Sequence, residues 1–361
     1  MKRFKISGIL LTLGTAIVAV YFVWALIQVG TFRELAFHSS GPCRPVLGMY
    51  SSEDIVIAED RSEAFISSLD RRIPELGEPI PGQILLLDLN NPDASAQDSS
   101  GNLNFPFFPH GLGLWNNPQG ESLVFAVNHG PEEDSIEIFE RGAAGLIPVE
   151  SISGELLFNA NDVAPVGERT FYVTRDHASR SSLGRKLEDY LLLQRSSVLF
   201  YDGSEFRLVA DGIGYANGIV VSHDGFTVFV AATTENSVLV YSRDPASGDL
   251  SLRQRIPVET GVDNLTLDPE GNLWLAGHPQ LLTFLEYAAD PDRLAPSQAL
   301  RISFAEPDSP TIEEIHLSDG TYLSGASVAA PWKNLFLLGS VYDRRLLICE
   351  MAQQPMVDET D

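Results

Sequence analysis

Five side chains that offer oxygen recur at the starts of short apolar stretches: Glu53, Asn161, Asn217, Asp263 and Asn264. Two carboxylates and three amides form a hard donor set with room for water, which suits calcium. Two acids against a doubly charged cation leave the site near neutral, which a partly buried position tolerates. Cysteine occurs only at Cys43 and Cys349, with no CxxC pair, so zinc–thiolate or dithiol redox chemistry has no support. Asp54 and Asp162 directly follow two of the donors. Adjacent strand residues project oppositely, so Asp54 and Asp162 point to a second, deeper ion, completed by carbonyls and water, that braces neighbouring units. The rival reading makes Asn and Asp at strand starts ordinary turn residues. It suits any one of them better than five at the same place in four repeats.

Seven histidines are present. His110 opens one apolar strand, in Pro109-His110-Gly111, and His129 closes the next, in Val127-Asn128-His129. Two histidines beside a cation can form a relay in which one orients the other as a base toward water. The plainer alternative is that His129 only packs and hydrogen-bonds. His177 and His278 each follow the second strand of a repeat and are expected at the rim of the same pocket. His38, His223 and His316 are assigned to the surface. No Gly-x-Ser-x-Gly elbow and no Gly-x-Gly-x-x-Gly after a strand occurs. Asn264-Leu265-Thr266 matches a glycosylation sequon, but its place on an inner strand makes that a coincidence.

What must position these residues is a repeat. Each unit runs from a polar pair or small residue through a short alternating strand and a Gly, Asp or Asn turn to a second apolar strand, and in most units a third follows. Examples are Asn217-Gly218-Ile219-Val220-Val221 before Val228-Phe229-Val230, and Asp263-Asn264-Leu265-Thr266-Leu267 before Leu273-Trp274-Leu275. Starting points at 53, 110, 161, 217, 264 and 325 lie 57, 51, 56, 47 and 61 residues apart. Units of roughly this size built from short strands are the signature of propeller blades. The expected fold is therefore all-β, a six-bladed propeller whose first strands line a central calcium-binding channel. There the scattered donors converge.

The chain has 361 residues, with 29 Gly and 22 Pro and a formal charge of −25 from 24 basic and 49 acidic side chains. Such a surface repels phosphate backbones, so nucleic acid is excluded as a partner. Most of the acidic surplus is solvated surface. After Met1-Lys2-Arg3-Phe4-Lys5 no charged residue appears before Arg33. The apolar span is long enough to cross a bilayer, with the basic end cytoplasmic and the rest extracytoplasmic. A cleaved signal peptide is the rival, although no small-x-small site is evident. Residues 1–32 are thus expected to be a signal-anchor or transmembrane segment, and 33–361 the propeller. Cys43 and Cys349, at opposite ends of an exported chain, suggest one bridge closing the ring. The alternative is two unrelated buried thiols.

Taken together, Ser52-Glu53-Asp54, Ala64-Phe65-Ile66-Ser67-Ser68, Pro109-His110-Gly111, Val127-Asn128-His129, Asn161-Asp162, Ala216-Asn217-Gly218, Val262-Asp263-Asn264 and Gly277-His278-Pro279 resemble the paraoxonase/arylesterase lactonases over about Cys43 to Glu350. The resemblance implies a propeller with two channel calciums, one catalytic and one structural. Glu53, Asn161, Asn217, Asp263 and Asn264 would hold the first, and Asp54, Asp162 and the main-chain carbonyl of Leu112 the second. It further implies His110 and His129 as the histidine pair and Cys43–Cys349 as the bridge. Two departures stand out: the family's third cysteine is Gly277 here, and the segment Leu69 to Pro81, which matches a mobile lid, carries Asp70, Arg71 and Arg72.

The expected activity is hydrolysis of lactones and aryl esters, with phosphotriesters as a side activity. The ion would polarise the carbonyl, and His110 backed by His129, or a ligand carboxylate such as Asp263, would activate water. Tyr215 and the lid would form an apolar wall. A calcium-braced propeller that only binds a partner is the alternative, since fold alone does not decide function.

Overall fold

The computed structural model describes residues 2–39, 41–72, 80–91, 93, 95–117, 120–143, 145–306 and 309–351. Its strands form six antiparallel sheets, each ordered from an inner strand outward. Blade I holds Ile55–Ala58, Glu63–Ser68, Gln83–Asp88 and Gln97–Asp98. Blades II, III, IV, V and VI begin at Pro109–Asn116, Ala160–Pro165, Ala216–Val221, Gly261–Leu267 and Ala326–Trp332. These starts match the repeat within three residues.

Alternation explains why the blades stack. Successive residues of a strand face opposite sides, so Phe125 and Val127 pack toward blade III while Val124 and Ala126 pack toward blade I. Six apolar clusters, one between each pair of neighbours, make up the described core. Truncating a fully buried ring such as Phe125 to alanine would cost about 3–5 kcal/mol.

The ring is closed by the beginning of the chain. Cys43–Leu47 is the outermost strand of blade VI, paired with Arg345–Glu350. Cys43 and Cys349 lie opposite each other in that ladder and form the disulfide. The bridge therefore lies within the last blade rather than between the first and the last. With 306 residues between its ends, it restricts the unfolded chain by about 5–6 kcal/mol in the chain-entropy account.

Helix α1 forms over Lys2–Gln28; among the described residues no helix is long and apolar enough to cross a membrane. Two features depart from the sequence-based expectation. Two further helices, α2 (Ser182–Tyr190) and α3 (Leu281–Ala289), rise from the strand connections of blades III and V. His316, expected at the surface, is 4% exposed, and burial pushes its imidazole down to about 4. His38 and His223 are exposed as expected.

Helix α1 ends against the face that carries α3. The Asn236 amide donates to the Gln28 carbonyl at 2.7 Å, and the Leu281 backbone N–H donates to Val29 at 3.0 Å.

Candidate metal centre and histidine relay

Each inner strand of blades II to V slips its register over two residues: between Pro109 and Leu112, Ala160 and Val163, Ala216 and Ile219, and Val262 and Leu265. The residues inside those slips are His110-Gly111, Asn161-Asp162, Asn217-Gly218 and Asp263-Asn264. A bulge leaves its residues unpaired and re-aims their side chains. The repeat thereby turns its polar pairs toward the channel. Two of the pairs carry glycine because the next blade comes close. A Cβ on Gly111 would sit 2.4 Å from Asp162 Oδ1, and one on Gly218 would sit 2.7 Å from the Asn264 Cα.

Glu53, Asp54, Asn161, Asp162, Asn217, Asp263 and Asn264 are all buried at the hub. Asp54 and Asp162 behave alike. Asp54 accepts from its neighbour Ile55 at 2.8 Å and, across the blade boundary, from Leu112 N–H at 2.6 Å. Asp162 accepts from Val163 and from Ile219 of the next blade, both at 2.7 Å. Burial, and then the charge of Glu53, push the Asp54 carboxyl up to about 8 despite those donors. Burial and the charge of Asp54 raise Asp162 well above its ordinary range.

The upper donors are left open. Glu53 Oε2, Asn161 Oδ1, Asn217 Oδ1 and Asn264 Oδ1 are buried with no hydrogen-bond partner. Partnerless buried oxygens are costly, and four at one hub together with crowded carboxylates fit a hard divalent cation. The donors are held in place from behind. Asn264 donates to the Glu53 carbonyl and to its Oε1, each at 3.0 Å. Ser327 of blade VI donates to the Glu53 carbonyl at 2.6 Å, and the Asn217 amide is 3.4 Å from Thr233 Oγ1. Burial opposes ionisation of Glu53, yet the charge and hydrogen bond of His110, with Arg71 and Asn264, outweigh it and hold the carboxyl at about 2.

The two histidines meet. His110 Nδ1 lies 2.8 Å from His129 Nε2, and His129 Nδ1 lies 2.9 Å from Asp134 Oδ1. Asp134 Oδ2 accepts from the Ala160 N–H at 2.9 Å, and the other end of the chain, His110 Nε2, is 3.4 Å from Glu53 Oε1. Burial works against the Asp134 charge, but the hydrogen bond and charge of His129 hold its carboxyl below the usual range. Sequence reasoning missed Asp134. Its signal is the hairpin register, in which His129 and Asp134 stand opposite.

His278 does more than rim the pocket. Its Nε2 is 2.9 Å from Asp263 Oδ2, and its ring stacks on Phe284 of α3 with centroids 3.8 Å apart. His177 is fixed between Asp176 at 2.6 Å and Asp189 at 2.8 Å; burial opposes its charge, but these two carboxylates raise it to about 9. With His129, Asp134 and Phe158 it lines a cavity of about 420 Å³.

Tyr215 is half-buried and packs edge-on against His177 at 5.2 Å. Tyr342 is raised by burial and lies in the field of Arg71, Arg72 and Asp263. Of the expected lid, residues 73–79 lie outside the described residues. At its root Arg72 donates to the Tyr287 carbonyl at 3.0 Å, with its guanidinium 4.7 Å from both the Tyr287 and Tyr342 rings.

Against known proteins, the family profile described as Arylesterase matches residues 43–351. Human serum paraoxonase/lactonase 3 is 34% identical over 96% of this chain and 99% of its own length. Rat serum paraoxonase/arylesterase 1 is 31% identical over 90% of this chain and 93% of its own. Among solved structures, a luciferin-regenerating enzyme superposes with a TM-score of 0.54 at 12% identity, covering 86% of this chain and 95% of its own. Regucalcin from Agrobacterium tumefaciens gives 0.52 at 15% identity, covering 88% and 96%. These two likenesses concern the fold.

Proposed function

The chain belongs to the arylesterase family, and from that premise we propose a calcium-dependent hydrolase of lactones and aryl esters. The observation that carries the reading is the set of partnerless oxygens on Glu53, Asn161, Asn217 and Asn264 beside a hydrogen-bonded histidine chain. Relatives named paraoxonase/lactonase and paraoxonase/arylesterase support the substrate class.

Glu53, Asn161, Asn217, Asp263 and Asn264 would hold a catalytic ion, and Asp54, Asp162 and the Leu112 carbonyl a structural one. When bound, calcium supplies Lewis-acid polarisation of the ester carbonyl and electrostatic stabilisation of the oxyanion. The rest falls to side chains of this chain. Asp134 accepts from His129 Nδ1–H, which leaves His129 Nε2 to accept from His110 Nδ1–H. With Glu53 in its proposed donor role and no longer accepting from His110 Nε2–H, that tautomer chain leaves the Nε2 lone pair toward the channel, where it takes a proton from water. Tyr215 and Tyr342 wall the pocket against bulk solvent.

We also read α1 as a membrane anchor that leaves residues 33–361 extracytoplasmic. Lys2, Arg3 and Lys5 stand at its N-terminal end, and Ile17, Val18, Val20, Phe22 and Ile27 are at least 60% exposed; carbonate-resistant sedimentation with membranes checks this.

Exhaustive chelation followed by assay on a medium-chain lactone, phenyl acetate and an organophosphate triester tests the main reading. Activity should vanish and return with added calcium; turnover unaffected by chelation would sink the proposal. His110→Gln should lower kcat by about a hundredfold, the usual worth of a general base. A near-normal rate would move the proton to Asp263.

A further inference from the structure

Arg71 stands inside the site and takes no part in the chemistry above. Its Nη2 donates to the Pro109 carbonyl at 3.0 Å and lies 3.5 Å from Glu53 Oε2. The side chain is only 13% exposed, and its Nε is buried without a partner. Among the described residues Glu53 is the only carboxylate within ion-pair reach of Arg71. Glu53 is also a proposed calcium donor, so in the loaded protein its charge is committed to the ion. The guanidinium would then be a nearly buried cation with spare N–H donors and no counterion, a costly arrangement unless an anion completes it.

Resting on the proposed function, we infer that Arg71 is a specificity-determining residue that forms an anion subsite beside the metal centre, selecting lactones and esters that carry a carboxylate near the scissile carbonyl. The neighbouring Arg72 lies with its guanidinium 4.7 Å from the Tyr342 ring. A planar guanidinium matches a carboxylate in two-point geometry, which a lysine cannot reproduce.

The probes are γ-butyrolactone carrying a γ-carboxylate and the same ring carrying a γ-carboxamide. For the calcium-loaded full chain, the kcat/KM ratio of carboxylate over carboxamide should favour the acid. In Arg71→Met that ratio should fall on the order of thirtyfold, the worth of a charge-assisted pair, and in Arg71→Lys by less. A ratio unmoved by Arg71→Met overturns the inference, as does an equal loss on both substrates, which would assign Arg71 to the reacting oxygen itself. A second readout needs no turnover. Removing a neighbouring cation should tighten calcium binding by Arg71→Met several-fold in a calorimetric titration, with a comparable loss of affinity for the hydroxy-dicarboxylate product. If neither ring is hydrolysed but the product binds through Arg71, the proposed function fails while the anion subsite stands.

Discussion

On the blade V side of the hub, His278 and Asp263 meet at 2.9 Å with side chains 3% and 6% exposed. On the blade II side, His129 and Asp134 meet at the same 2.9 Å with side chains 34% and 14% exposed. The pairing chemistry is identical and the surroundings are opposite. The first pair is sealed under Phe284, and its carboxylate belongs to the proposed donor set, so there the histidine would only orient a ligand. The second lines the cavity of about 420 Å³ and ends in a backbone N–H rather than in the proposed donor set. It can pass a proton outward. Burial, more than residue type, divides a histidine that holds an oxygen from one that moves a proton.

The comparison can be broken at three points. The largest expected effect concerns His177, which lines the open cavity with both ring nitrogens occupied. Its raised folded value, about 9 against an ordinary 6.5, means that its contribution to stability is complete below pH 6.5 and lost as pH rises through about 9. Unfolding free energy should therefore fall by about 3 kcal/mol across that window. His177→Gln should flatten the curve, and denaturant titrations at several pH values measure it. An unchanged slope would mean that the open side does not tune its histidines by carboxylate pairing.

Next is Asp134→Asn. It should lower kcat by about a hundredfold, because the wrong His129 tautomer breaks the relay. Calcium affinity should stay within error, and the acid limb of the pH–rate profile should shift. Weakened calcium binding instead would merge the two sides. The smallest effect belongs to His278→Gln. It should weaken calcium binding by about tenfold, the usual loss for an outer-shell partner, while leaving the shape of the pH profile unaltered. A changed profile would give the sealed histidine a role in proton transfer.

Much of this was legible in the sequence, for a reason that particular residues make plain. Inner strands announce themselves because most start with a polar or small pair and run into an apolar strand before a tight turn, as in Asn217-Gly218 to Asp224-Gly225. The outer strands do not. Leu146–Ser153 is exposed at five of its eight positions, so neither face imposes an alternation. The donors were readable through the repeat, which carries them to one hub whatever their distance along the chain. Asp134 lies outside the repeated position, and only hairpin register brings it to His129. His316 follows Glu313-Glu314 and reads as surface, yet a register slip opposite Ala299 and Leu300 turns the end of its strand inward. Arg71 gives no sequence signal beyond its departure from the family's lid.

The outermost strand of the last blade is made by Cys43–Leu47, which is synthesised before blades I to V, and its partner Arg345–Glu350 comes after all five. A nascent polypeptide therefore carries an unpaired edge while those blades are made. Blade-by-blade assembly can proceed meanwhile, but the torus cannot lock until that partner strand has been made. A premature stop anywhere upstream should yield an open, association-prone fragment rather than a smaller working enzyme.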